Sequence, residues 1–142
     1  MKDLSSAGED RFWMISVREV QPSEMDGVKV LIRDIFPDAM VQITDNDIVL
    51  LAEYSGKAVG FAHMIDEGDR LILQGIGVHK SMRGYGVGTI LMDRILATLN
   101  EDRPVHLKVK ALNPAIDLYA RYGFFVRRFG QDVHVLVKRP NA

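Results

Sequence analysis

The chain alternates between two hydrophobic rhythms. Residues 14–20 form a short apolar, β-branched stretch that predicts a strand. After Pro22-Ser23, Met25, Val28, Ile32 and Ile35 recur at spacings of three and four and give a helix one apolar face. Ser23 with Asp26 has the form of a capping box at its start, and Pro37 ends it. Strand patterning returns at residues 48–54 and 58–65, joined by the short turn Ser55-Gly56-Lys57. A second turn at 66–69 leads into a third strand, 70–78, which carries Gly75 and Gly77 in its interior. Glycine weakens a strand there and marks a bulge or the close approach of another group.

From 86 to 100 the period is again helical: Val87, Leu91, Ile95 and Leu99 share a stripe flanked by Ile90, while Asp93 and Arg94 point away. Pro104 separates this helix from a strand at 105–109. Asn113-Pro114 supplies a favoured N-cap and first residue for the next helix, which closes at Gly123. Residues 124–129 and 133–137 make a final strand pair around Gly130-Gln131-Asp132. The order is β-α-β-β-β-α-β-α-β-β, a mixed α/β sheet. There is no internal repeat and no linker. A leader at 1–13 and a single domain at 14–142 are the expected organisation, with Phe12 and Trp13 packing at an edge.

Composition narrows the function by exclusion. The 142 residues are 47% hydrophobic and 26% charged, an ordinary soluble balance, and the net charge of -1 gives no long-range attraction for nucleic acid or an anionic membrane. Cysteine is absent, so disulfides, thiolate metal sites and an acyl-cysteine route are closed. The N-terminal stretch has no apolar core of a signal peptide, and no run approaches the roughly 18 apolar residues of a membrane span. A cytoplasmic protein is expected. His63, His79, His106 and His134 show no metal-ligand spacing, so no metal is expected; His63, His106 and His134 read as ordinary strand residues and His79 as a turn residue.

The most informative segment runs from Gly75 through His79, Lys80, Arg83, Gly84, Tyr85, Gly86, Val87 and Gly88 to Thr89. A strand enters a glycine-rich turn that opens a helix, an arrangement that presents backbone N–H groups to an anion, with Lys80 and Arg83 beside it. A nucleotide P-loop would need Gly-Lys-Ser/Thr, and a dinucleotide fingerprint G-x-G-x-x-G; the spacing G-x-G-x-G fits neither.

Arg83-x-x-Gly86-x-Gly88 resembles the signature Q/R-x-x-G-x-G/A of the GNAT acetyltransferase superfamily, and Gly84 matches a glycine common there. Gly77-Val78-His79-Lys80 is similar to that family's Val-x-Pro approach, with Lys80 in place of proline. Asn113-Pro114-Ala115-Ile116-Asp117-Leu118-Tyr119 and Tyr122-Gly123-Phe124 resemble its N-x-x-A-x-x-L-Y-x-x-x-G-F segment. The resemblance covers residues 15–138 and implies a mostly antiparallel sheet with helices on both faces and a bulged, splayed central strand pair. It implies acetyl-CoA as cosubstrate and a primary amine as acceptor, with direct attack in a ternary complex. The backbone of Ile76, Gly77 and Val78 would pair with the pantetheine arm in the gap between the strands of Ile76 and Leu107. Arg83, Gly84, Tyr85, Gly86, Val87, Gly88 and Thr89 would cradle the pyrophosphate, and Asn113 would touch the pantetheine from the other side; a plain N-cap serves Asn113 equally well. Tyr119 falls at the position that protonates the departing thiolate, and Tyr122 reads as packing. A backbone N–H near Val78 would polarise the thioester.

No base is assigned. Ile72 and Gln74 occupy the acceptor-facing positions where the family often places one; Gln74 can hold a water, and Glu53, Asp66, Asp69 and His79 stand in reserve. The acceptor would be gripped by residues 36–47 and 127–132, where Asp38, Asp45 and Asp47 offer attraction for a cationic amine or simply a solvated loop. Two other readings remain: a non-catalytic acyl-CoA-binding regulatory module, and a nucleotide-binding α/β domain. A homodimer is common in the family.

Overall fold

The computed structural model describes residues 14–99 and 102–140. The leader, with Phe12 and Trp13, and the predicted helix end at Asn100 lie outside them. Seven strands form one sheet in the order β1-β2-β3-β4-β5-β7-β6: β1 Ile15–Glu19, β2 Asp47–Tyr54, β3 Lys57–Asp66, β4 Leu71–Val78, β5 Val105–Lys110, β6 Phe125–Arg128 and β7 Val133–Lys138. Every neighbouring pair is antiparallel except β4 and β5. The helices are α1 Met25–Ile35, α2 Val87–Leu99 and α3 Ala115–Arg121. This is the element order that the hydrophobic periods predict.

The two faces bury different cores. On one, Leu50, Ala62, Met64, Leu71 and Leu73 meet Val87, Leu91, Met92 and Ile95 of α2 and Tyr119 of α3. Each fully buried aliphatic side chain there contributes about 1.5–3 kcal/mol. On the other, Val49, Leu51 and Phe61 meet Val28 and Ile32 of α1. The start of α1 differs from the expected capping box. A single 3-10 turn, Pro22–Glu24, precedes it, and the Gln21 N–H donates to the Glu24 carboxylate at 3.1 Å. The box therefore runs from Gln21 to Glu24: Pro at 22 starts the turn, which moves the reciprocal pair two residues upstream of Ser23.

A bulge in β4 decides which side chains face α1. His63 pairs with Gly75 and Met64 with Leu73, so Gln74 is the extra residue. Before it, Leu71 and Leu73 point into the α2 core; after it, Ile76 and Val78 do. Gly75 and Gly77 are thereby turned toward α1. A Cβ at Gly77 would lie 2.7 Å from a ring carbon of Phe36, 2.9 Å from Phe61 and 3.0 Å from Ile35. Phe36 and Phe61 themselves meet edge to face at 6.0 Å. Only a residue without a side chain lets α1 settle on this strand.

Asp47, at the head of β2, is committed inward. Its carboxylate accepts from the Thr44 N–H at 3.1 Å and hydroxyl at 2.8 Å, and lies 2.7 Å from His63 Nε2. Both side chains are nearly inaccessible, at 2% and 5% exposure. Burial alone would raise the Asp47 pKa, but the hydrogen bonds from His63 and Thr44 outweigh it and hold the carboxyl below its ordinary value. Asp47 thus anchors the loop between α1 and β2 and is not available to attract an amine, which corrects one expectation for that loop.

Gly77→Ala is expected to destabilise the fold by about 1–3 kcal/mol through overpacking, because buried Phe61 cannot swing aside as half-exposed Phe36 can. Urea unfolding of the variant and the parent measures it.

Candidate functional site

The site begins where the one parallel pair stops. Strands β4 and β5 are in register only at Leu71 with Val105 and Ile72 with His106. Beyond that rung β4 stays paired with β3 as far as Val78, and β5 stays paired with β7 as far as Lys110. The β4 edge that faces β5 is therefore without a strand partner over residues 73–78. The His79 N–H donates to the Val59 carbonyl at 2.7 Å. By strand alternation Gly77 also turns its backbone groups toward β3, and Ile76 and Val78 turn theirs into the gap.

That open edge runs directly into the glycine turn. His79 caps a short 3-10 turn, Lys80–Met82, accepting from the Ser81 N–H at 3.2 Å through Nδ1. Its Nε2 lies 3.2 Å from Asp34 on α1, so both ring nitrogens are engaged and His79 joins the turn to the helix. The Arg83 Nε donates to the Val78 carbonyl at 3.1 Å, folding the turn back on the strand end. Gly84 and Gly86 both have positive φ, 84° and 82°, a conformation side chains resist. The Gly86 carbonyl accepts the Ile90 N–H at 3.1 Å, which makes it the N-cap of α2. Glycine brings no capping side chain, and among the described residues none accepts from the N–H groups of Val87, Gly88 or Thr89. Three donors and the positive end of the helix dipole face outward beside the gap.

Across the gap, β5 ends in the loop to α3. The Asn113 Oδ1 accepts the Ala115 N–H at 2.9 Å, so Asn113 caps α3, and its Nδ2 has no partner among the described residues. Tyr119 is 7% exposed and packs edge to face on Phe124 with centroids 5.8 Å apart. Its hydroxyl has no hydrogen-bond partner among the described residues, where every fully buried side-chain N or O atom has one. The hydroxyl therefore reaches an accessible space from within the core. Burial pushes the phenol up to about 12. Tyr122 differs: its hydroxyl donates to Asp93 and lies 3.2 Å from the Thr89 carbonyl, tying the end of α3 to α2. Burial first, and Asp93 second, raise it to about 12 as well.

His106 is the residue that sequence reasoning passed over. It stands on the last β4–β5 rung beside Ile72, on the face that carries α1, and is half-buried. Burial lowers its pKa, reinforced by Arg70 and Arg127 and opposed by Asp69 and Glu67. Nothing in the strand pattern separates it from His63 or His134; the rung at which the pair splits does. Gln74, on the bulge, is exposed.

Known proteins share this architecture. The model of the family described as an acetyltransferase (GNAT) domain matches residues 45–126. No curated protein matches the chain by sequence. Among solved structures, the chain is similar to the ribosomal-protein-S18-alanine N-acetyltransferase of Escherichia coli, with a TM-score of 0.79 at 16% identity over 91% of this chain and 96% of that one. It is also similar to Arabidopsis thaliana Naa50 in complex with the bisubstrate analogue CoA-Ac-MVNAL, with a TM-score of 0.74 at 23% identity over 88% and 98% of the two chains. A third is the PaiA N-acetyltransferase of Thermoplasma acidophilum in complex with coenzyme A, with a TM-score of 0.71 at 13% identity over 88% and 98%. At such identities these likenesses speak for the fold, while the family model spans more than half of the chain, including the glycine turn and the Asn113–Gly123 segment: the protein belongs to the GNAT family of acetyltransferases.

Proposed function

We propose that this acetyltransferase moves an acetyl group from acetyl-CoA to a primary amine by direct attack in a ternary complex. The observation that carries this reading is the unpartnered β4 edge over residues 73–78, which leads into the bare N-terminus of α2. An extended amide-bearing arm matches the edge, and a pyrophosphate matches the helix end. Two solved relatives hold CoA or a CoA conjugate in this fold.

In this reading Ile76 and Val78 pair with the pantetheine amides, with Gly77 between them. The turn from Arg83 to Thr89 takes the pyrophosphate. Asn113 offers its Nδ2 from the far side. A backbone N–H on the open β4 edge, between Val78 and the Ile72–His106 rung, points at the thioester oxygen and stabilises the negative charge that develops there. The neutral amine attacks the carbonyl carbon, the C–S bond breaks, and Tyr119 gives its phenolic proton to the departing thiolate. A phenol kept protonated to about pH 12 remains a donor across the whole working range.

The proton lost by the ammonium goes to His106, at the foot of the gap, directly or through one water. A histidine whose pKa is lowered is neutral at pH 7 and able to accept. The reading of a non-catalytic acyl-CoA-binding module gives no reason for an accessible, partnerless Tyr119 hydroxyl in an otherwise apolar core.

Tyr119→Phe is expected to lower kcat more than tenfold and to leave acetyl-CoA affinity nearly unchanged, measured by thiol release and by calorimetry. Unchanged turnover removes the acid role. In the parent, kcat/KM is expected to fall on the acid side with a midpoint below the ordinary histidine value of 6.5, since protonation removes the base. In His106→Ala that limb is expected to vanish from the pH–rate profile and the plateau to drop; an unshifted limb removes His106 from the mechanism.

A further inference from the structure

Among the described residues, α1 covers only half the width of the face on which it lies. α1 lies on β2, β3 and β4, through Val49, Leu51, Phe61 and Gly77. On the other half, formed by β5, β7 and β6, register fixes what points the same way. His106 stands beside Val137 and Phe125, Lys108 beside Val135 and Arg128, and Lys110 beside Val133. Lys108, Lys110, Arg128 and Val133 are exposed, and so are Phe125 and the bulged Arg127. Arg139 lies over the Phe125 ring at 5.3 Å. None of Lys108, Lys110, Arg127 or Arg128 holds an ion-pair partner among the described residues.

The strand positions of this half-face carry no carboxylate. Glu67 and Asp69 stand at its lower end, where Glu67 is engaged by Arg70 at 2.9 Å, and Asp132 sits in the hairpin at its upper end. The chain as a whole has a net charge of -1, so this cationic band is local. It begins at the gap between β4 and β5, on the rungs just above His106.

We propose that this half-face binds the acceptor's own body, an extended polypeptide with Asp or Glu at alternate positions next to its reactive amine. The proposal rests on the acetyl-transfer reading for its place in the reaction. The geometry favours a chain over a single carboxylate. Lys108 and Lys110 are separated by twice the strand rise, about 6.7 Å, the same interval at which an extended peptide repeats side chains on one face. Arg128 lies two strands over, about 9.5 Å away. One carboxylate reaches part of this band; an acidic strand reaches all of it. Val133 and Val135 give the peptide an apolar floor. A flat apolar floor and a net-negative chain argue against nucleic acid as the occupant.

The test uses the full chain and two ten-residue peptides with free N-termini and C-terminal fluorescein, one with Asp at alternate positions and one with Asn in their place. Fluorescence anisotropy is read with and without CoA, and acetyl-CoA affinity is measured separately by calorimetry. The Asp peptide is expected to bind at least tenfold more tightly, with the difference shrinking as salt is raised. Lys108→Glu combined with Arg128→Glu is expected to erase the difference and leave acetyl-CoA affinity unchanged. Equal binding of the two peptides, or none, overturns the proposal, as does a double variant that keeps the preference. A single-stranded oligonucleotide that displaces the peptide at a lower concentration assigns the face to nucleic acid and overturns it too. Loss of acetyl-CoA binding in the parent is a separate result: it removes the acetyl-transfer reading, while the peptide comparison without CoA still decides the face.

Discussion

The parallel pairing of β4 with β5 lasts for two rungs, and the rest of the site is arranged around its failure. Each strand is already held on its other side, β4 by β3 and β5 by β7, so neither can bend to close the gap without breaking a longer ladder. Backbone donors and acceptors left facing that gap are costly unless something pairs with them. The bulge at Gln74 adds a second consequence. It reverses the facing of every later residue in β4, which puts Gly75 and Gly77 under Phe61 and Phe36 and keeps Ile76 and Val78 in the opposite core. The end of the strand is thus rigid on both faces and open along one edge.

Electrostatics divides the surroundings of this gap. On the turn side, Gly86 leaves the first donors of α2 uncapped, and Arg83 holds the turn against Val78. On the α1 face, His106 marks the foot of the gap and the basic residues of β5 and β6 extend away from it. Of the acidic residues of the α1–β2 loop, Asp47 adds nothing to a negative wall, since it is spent on Thr44 and His63. An anionic cofactor and an acceptor with an acidic body suit such a distribution, with His106 as the proposed acceptor of the amine's proton.

Much of this was legible in the sequence. Periodicity predicts every strand and α-helix among the described residues, because their apolar positions keep helical or strand spacing and the turns carry Gly, Pro or Asn. The glycine turn and the Asn113–Gly123 segment point to the family, which its domain model shows. What escaped depends on contacts between distant residues. The box at Gln21 and Glu24 follows from the 3-10 turn that Pro22 starts, not from the residue types at 23 and 26. The bulge at Gln74 is set by pairing to β3, so strict alternation from residue 72 misjudges the facing beyond it. Asp47 and His63 are sixteen residues apart and meet only in the folded sheet. His106 gains its interest from the rung on which it stands, and Lys108, Lys110 and Arg128 from a shared face that only register reveals.

The most direct test is residue-resolved amide hydrogen exchange at Ile76, Gly77 and Val78, with and without saturating acetyl-CoA. Ile76 and Val78 point into the gap, whereas Gly77 faces β3 and serves as the internal control. The cofactor is expected to slow exchange at Ile76 and Val78 and to leave Gly77 nearly unchanged. Exchange at Ile76 and Val78 that stays as fast with acetyl-CoA as without it would contradict the claim that the open edge of β4 is the cofactor's partner.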